Sequence, residues 1–553
     1  MLNHQLLRSL AFCFGIAGLF ALAACGGNAV EHREAVRPLD GLPPPPAPPP
    51  PPVAGVLSPM AIPLGQQYMQ AANTSKFPDA KPNPVKIAAN EPVSTFSIDV
   101  DTASYGVVRE YLNSGALPPS DAVRVEEMVN YFDYAYPGPA SKAVPFKATM
   151  AVYPTPWNAG TKILHIGIKG YDLPKRERPP ANLVFLIDTS GSMNESNKLP
   201  LLKRAFHLLV DQLTEKDTVS MVVYAGSAGT VLEPTSGADK AKILAALDRL
   251  AAGGSTAGGE GIRQAYALAE AHMVKGGVNR VLLATDGDFN VGLTDPNALE
   301  DFVVRERDKG VSLTCLGFGN DNYNDALMQK LAQAGNGNAA FIDTLNEAHK
   351  VFVDQIAGTL FTIAKDVKIQ IEFNPARVAE YRLIGYETRL LNETDFANDK
   401  VDAGDIGAGH TVTALYEITP VGSKARMSDE HRYADKKVKG EPKGELAFLK
   451  IRYKLPDEAK SHLITRPVTA ADVKPNFNAV SSDMRFAVAV AATAQLLKHD
   501  PYIKDFSYDR AIEMAQSAKG EDGFGYRGEF IQLLRLAKVA DTQKPLEQSG
   551  KAE

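Results

Sequence analysis

ANLVFLIDTSGSMN, residues 181–194, reads as a short apolar run that ends in an acid and then breaks into Thr-Ser-Gly-Ser. An unbroken apolar run of this length is what a strand buried on both faces looks like. Asp188, Ser190 and Ser192 are spaced by two. In an extended loop leaving a strand, that spacing turns all three side chains to one side, and Gly191 relieves the backbone between them. The set offers oxygen only: one carboxylate and two hydroxyls. Oxygen-only donors suit hard cations, and Mg2+ favours six oxygens at about 2.1 Å, several of them water.

The pattern continues outward. NLVFLID is followed by KLPLLKRAFHLLVDQL, with Leu199, Leu202, Phe206, Leu209 and Leu213 on one helical face. DTVSMVVYA, RVLLATDG, VSLTCLGFG and AAFID are further apolar strand candidates, each followed by a helical stretch. Apolar strands alternating with amphipathic helices predict an α/β domain over 179–362, with a doubly wound, mostly parallel, Rossmann-like sheet. Ligands of such sheets sit at the carboxyl ends of the strands. Two more oxygen donors fall in loops of this kind: Thr256 in GGSTAGGEG (253–261), and Asp286 closing LLATD (282–286). Asp288 and Glu260, nearby, read as solvated loop charges.

On either side the periodicity changes. Residues 91–178 predict a small α+β N-terminal module, with helices near 105–114 and 123–132 and period-two strands in FKATMAVYPTPW and KILHIGIKGYDLP. Residues 363–545 predict a C-terminal domain, β-rich first and helical after 481. DVKIQIEF places Val367, Ile369, Ile371 and Phe373 on one face. Residues 546–553 read as a flexible tail. A chain of 553 residues has room for these parts, on a prior of about 150 residues per domain.

The first residues read as a targeting segment, not as fold. A weakly basic head, the apolar run AFCFGIAGLFALA and the small-residue stretch LAAC (22–25) make a secretory signal over 1–24. Residues 25–90 read as a tether. PPPPAPPPPP (43–52) should form polyproline II at about 3.1 Å per residue, roughly 30 Å of stiff spacer. Of three cysteines, Cys13 lies in the signal, Cys25 directly follows it, and Cys315 sits in an apolar strand candidate. The mature chain then has no internal disulfide and is held by its hydrophobic core. A net charge of −6 with no basic stripe excludes nucleic acid as an expected partner.

LAAC resembles the lipobox of bacterial lipoproteins, which implies lipidation of Cys25 and a membrane anchor through the lipid. Gly26 resembles outer-membrane sorting, so the expected location is exported and anchored to the outer membrane, on its periplasmic or surface face. DTSGS, a distant Thr in a Gly-rich loop and TDG after a strand resemble the metal-ion-dependent adhesion site of von Willebrand factor type A (VWA) domains. All five positions match: Asp188, Ser190, Ser192, Thr256 and Asp286. The resemblance implies that Ser190 and Ser192 bind Mg2+ (with Mn2+ or Ca2+ as substitutes) through their hydroxyls, and that Thr256 does so directly or through water. Asp188 and Asp286 would act largely through water. A partner protein's Asp or Glu would be the sixth ligand. FSIDVDTASY with NSGALPPSDAVRVEEMVNYFDY, and NDKVDAGDIGAGHTVTALYEI with FAVAVAATAQLL, resemble the flanking parts of one group of bacterial VWA lipoproteins. Inter-α-trypsin inhibitor heavy chains are similar more loosely.

Other chemistries find less support. FSIDVDTA ends a strand in Asp-x-Asp, as phosphoryl-transfer nucleophiles do, but Ala103 departs from that motif, and Asp99 and Asp101 read as turn or capping carboxylates. No Gly-x-Ser-x-Gly elbow, His-Glu-x-x-His pair or P-loop occurs. His165, His207 and His349 read as structural, and Trp157 as a packing residue. The expected function is non-enzymatic, metal-dependent protein binding. A metal-dependent hydrolase and a scaffold with a purely structural metal are the alternatives. The hydrolase needs a general base near the metal, and no His lies near the three loops in sequence.

Overall fold

Apolar and period-two runs become the strands of three sheets. The computed structural model describes residues 75–254, 258–287, 296–319, 323–429 and 444–543, all within one compact unit, Met69–Glu553. The strands are β1 (Lys86–Ile87), β2 (Val93–Ser97), β3 (Phe146–Thr155), β4 (Asn158–Gly170), β5 (Ala181–Asp188), β6 (Thr218–Tyr224), β7 (Ala228–Ser236) and β8 (Val278–Thr285). They continue as β9 (Ser312–Gly317), β10 (Ala339–Phe341), β11 (Thr362–Phe373), β12 (Val378–Ile384), β13 (Ile406–Gly407), β14 (Thr411–Pro420), β15 (Ala447–Lys454) and β16 (His462–Val468).

The α/β sheet is six-stranded in the order β10-β9-β8-β5-β6-β7. Its neighbours are parallel except for the hairpin β6–β7. Central strand β5 is buried along its whole length. Leu183, Phe185 and Ile187 face one helical layer with Leu202, Phe206 and Ile243, while Val184 and Leu186 face the other with Ile262, Tyr266 and Val303. Both faces of the strand are therefore covered, which is why its residues do not alternate in polarity. Each such side chain contributes about 1.5–3 kcal/mol through burial. Cys315 is fully buried on β9.

The two remaining sheets are antiparallel and draw strands from both sides of the α/β unit. One runs β1-β12-β14-β4-β3; the other runs β13-β11-β15-β16, with β2 on β11. The segments 91–178 and 363–545, expected as two modules, thus share their sheets. Leu164 of β4 pairs with Tyr416 of β14, and Phe96 of β2 pairs with Ile369 of β11. Phe96, Ile98, Ile166, Ile371, Tyr416 and Ile451 belong to one core between the sheets. The few strands of the first segment cannot bury their apolar faces alone, so the chain returns after the α/β unit to complete them. The C-terminal helices Ser482–Leu497, Tyr508–Ala518 and Tyr526–Thr542 pack with Ala103–Asn113 and Val125–Asn130 in a further core containing Tyr105, Tyr131, Phe132, Phe486 and Phe530. Among the described residues no helix is long and apolar enough to cross a membrane.

A buried cation joins the three parts. Arg109, with a side chain 0% exposed, donates through Nε to Asp343 Oδ2 at 2.7 Å and through Nη2 to Glu347 Oε2 at 2.8 Å. Its Nη1 reaches Glu529 Oε2 and the Tyr131 hydroxyl, both at 3.1 Å. Removing one partner of such a cluster strands the remaining buried charges, a loss of about 3–5 kcal/mol. Urea unfolding of Arg109→Met should show a loss of this size, whereas a change below ~1 kcal/mol would mean that the junction is held by its apolar contacts instead.

Candidate metal site

The site lies where the strand order reverses. From β5 the chain winds outward through β6 and β7, then crosses back to place β8 on the other side of β5. In sheets with such a reversal, ligands bind at the carboxyl ends of the strands beside it, here β5 and β8. Asp188 is the last residue of β5, and Asp286 directly follows β8. Two carboxylates from adjacent parallel strands therefore end at the same edge.

Local hydrogen bonds shape the loop after β5. Asp188 Oδ1 accepts from the Ser190 backbone N–H at 2.9 Å, and Oδ2 accepts from the Thr285 hydroxyl at 3.0 Å. Asp188 is fully buried. Burial pushes its carboxyl above the usual range; the Ser190 bonds oppose this, the Asp286 charge adds to it, and Thr285 opposes it again. Residues Gly191–Asn194 form a short 3-10 turn anchored by Met193, which is 0% exposed. The turn brings the Ser190 and Ser192 hydroxyls to 3.1 Å from each other. Ser190 is buried and Ser192 is exposed, so the set opens to solvent on the Ser192 side.

The Gly-rich loop is tied to the same turn. Gly191 N–H donates to Gly254 O at 3.1 Å, and Gly253 N–H donates to Thr189 O at 2.8 Å. Gly254 has φ +91°, and a Cβ there would come 3.1 Å from Gly226 N; the bend needs glycine on both counts. Thr256 lies outside the described residues, as do Cys25 and Asp288. Glu260 is exposed at the start of helix Gly258–Ala271.

The described donors fit a small divalent cation. Two oxygens on adjacent corners of an octahedron with bonds of about 2.1 Å lie about 3.0 Å apart, and the two serine hydroxyls have that separation. Asp286 is 1% exposed. Its Oδ1 is buried and accepts no hydrogen bond among the described residues, which is costly for a carboxylate unless a cation or water completes it. Among the described residues no cluster of three or more His, Cys, Asp or Glu side chains is placed for a metal, so it is the hydroxyls that set the chemistry here, favouring a hard cation.

One polar neighbour has no counterpart among the residues singled out from sequence. Lys198, 2% exposed, places Nζ 3.3 Å from Asp286 Oδ2. In sequence it is a lysine at the start of an amphipathic helix, where a solvated charge is the ordinary expectation, and only the topology brings it to Asp286.

The other candidates are structural. Arg389 donates to Asp99 and Asp101 at 2.9 Å each. Asp101 Oδ1 also accepts from Ala339 N–H of β10 at 2.7 Å. These acids bind the segment after β2 to the α/β sheet. His165 is buried between the Tyr136 and Tyr153 hydroxyls, 2.8 Å from each, and burial lowers its pKa to about 3. His207 pairs with Asp248 and His349 with Asp354. Trp157 packs near Phe506 and donates to Glu417 at 3.2 Å.

Comparison with known proteins places the α/β unit in a known domain family. The model described as "von Willebrand factor type A domain" matches residues 182–355. "Uncharacterized protein YfbK, C-terminal" matches 358–539, and "von Willebrand factor" matches 71–165. The chain is 50% identical over 472 residues to the uncharacterized protein YfbK of Escherichia coli K12, covering 84% of this chain and 81% of that protein. It is 31% identical over 195 residues to human inter-alpha-trypsin inhibitor heavy chain H4, covering 33% and 21%. Among solved structures, a von Willebrand factor type A protein from Catenulispora acidiphila aligns with 73% of this chain and 91% of its own at 15% identity and TM-score 0.41. The chain belongs to the YfbK family of proteins with a von Willebrand factor type A domain.

Proposed function

We propose that this protein is a lipid-anchored component of the bacterial cell envelope that captures a partner protein through a divalent cation held by Asp188, Ser190, Ser192, Thr256 and Asp286. One observation carries the reading: two hydroxyls at octahedral-edge spacing stand at the strand-order switch point with a buried Asp286 oxygen that accepts nothing among the described residues. Mg2+ is the proposed ion, with Mn2+ or Ca2+ as substitutes. When bound, it supplies a positive centre for an oxygen ligand. Ser190 and Ser192 would hold it by their hydroxyls, Asp188 would orient Ser190 through the backbone N–H, and Thr256 would complete the set. The partner would offer an Asp or Glu side chain. The signal and LAAC motif at 1–25 support export and lipidation at Cys25, and Gly26 supports the outer membrane. No catalytic role is assigned to the site.

Calorimetric titration tests the metal. Wild type should bind Mg2+ and Mn2+, and Asp188→Ala should bind neither. The variant leaves the Ser190 N–H and the Thr285 hydroxyl without their acceptor, about 1–3 kcal/mol each, partly offset by loss of a buried charge, so it should still fold in chelator. Equal metal binding by both proteins would remove Asp188 from the site. Fractionation tests the anchor: Cys25→Ser should move the protein from the membrane to the soluble fraction, and unchanged membrane retention would contradict lipid anchoring at that residue.

A further inference from the structure

Lys198 is built into the site instead of resting on its surface. It precedes helix Leu199–Gln212, where its backbone O accepts from Leu202 N–H at 2.8 Å and its N–H donates to Glu195 O at 3.0 Å. The backbone at this point is fixed by the start of the helix. The stem runs against Gly319, where a Cβ would come 2.4 Å from Lys198 Cε, and Gly319 itself has φ +72°. Glycine at 319 therefore leaves the channel that the lysine fills. At the end of the channel, Nζ stands 3.3 Å from Asp286 Oδ2 and 3.8 Å from Glu195 Oε1, a side chain 57% exposed. Asp286 thus has one oxygen held by a buried ammonium and the other accepting no hydrogen bond among the described residues.

This arrangement has an electrostatic consequence for any cation at the second oxygen. A carboxylate spans little more than 2 Å between its oxygens, so the ammonium and a divalent ion would share one anion at short range. Their repulsion is weakly screened where both groups are out of water. A buried lysine is a poor choice for maximal metal affinity. It does raise the positive potential at the filled site, and so favours an anionic ligand over water or a neutral oxygen. Resting on the metal-binding reading above, we propose that Lys198 is a specificity-determining residue: an internal counter-cation that competes with the divalent ion for Asp286, lowers metal affinity, and makes the loaded site demand an acidic partner.

The test compares full-length wild type with Lys198→Met, and with Lys198→Gln, which keeps a polar contact to Asp286 without the charge. Mn2+ and Mg2+ affinities are measured by calorimetry, and melting temperatures are recorded in chelator and in saturating metal. Each neutral variant should bind Mn2+ about tenfold tighter or more, which corresponds to about 1.4 kcal/mol. Its melting temperature in chelator should fall, because Asp286 loses its counter-charge, while the rise on adding metal should grow. A lysine serving only to hold the loops together would instead weaken metal binding and shrink that rise. Unchanged or weaker binding by a folded neutral variant, with wild type binding normally, overturns the role of Lys198 and leaves the metal site standing. Binding by the variants where wild type shows none supports it. Failure of all three proteins to bind overturns the metal site and this inference together.

Discussion

A carboxylate buried at the end of a strand that is itself buried on both faces sets the terms for the rest of this molecule. Asp188 has no exposed surface, and an ionised acid in such a place needs donors close at hand. They come from the turn that follows, through Ser190 N–H, and from the neighbouring strand, through the Thr285 hydroxyl. Meeting that need folds the Asp-Thr-Ser-Gly-Ser segment back over the strand end, which sets the two serine hydroxyls side by side. The Gly253–Gly254 backbone then locks the turn from the far side. The oxygen cluster is thus a consequence of satisfying one buried acid, and Asp286 arrives because β8 is the next strand across the switch point.

The flanking segments matter through connectivity. The α/β unit is an insertion between β4 and β11, and the two antiparallel sheets are completed only when strands before and after it in the chain meet. β4 pairs with β14 and β2 with β11, and Arg109 binds the last part of the α/β unit and the final helix to the same buried point. Such an insertion is held at both ends. Its two termini enter shared sheets, which restrains the unit more than a flexible linker would.

Much of the α/β unit is legible in sequence because β5, β6, β8 and β9 are apolar runs with few alternatives. Strand β7 is not. Its sequence AGTVLEPTS carries Pro234 and polar residues, as an edge strand does, so it resembles a loop. The shared sheets are hidden for a different reason: period-two patterning says that a strand has one buried face but not which strand covers it, and here the partners lie on opposite sides of the insertion. The placement of Asp188, Ser190, Ser192 and Asp286 at one sheet edge is legible because their spacing and positions after apolar runs mark strand ends. Lys198 is not, since a lysine before a helix looks solvated until the fold shows Gly319 and Asp286 beside it. The same holds for Asp99 and Asp101, whose partner Arg389 is remote in sequence.

The most direct measurement is the anomalous scattering of crystals of this protein grown with Mn2+. A single strong manganese peak is expected, bounded by the Ser190 and Ser192 hydroxyls, on the Oδ1 side of Asp286, with Lys198 still against Oδ2. A peak elsewhere with these residues bare, or none at millimolar Mn2+, would contradict it.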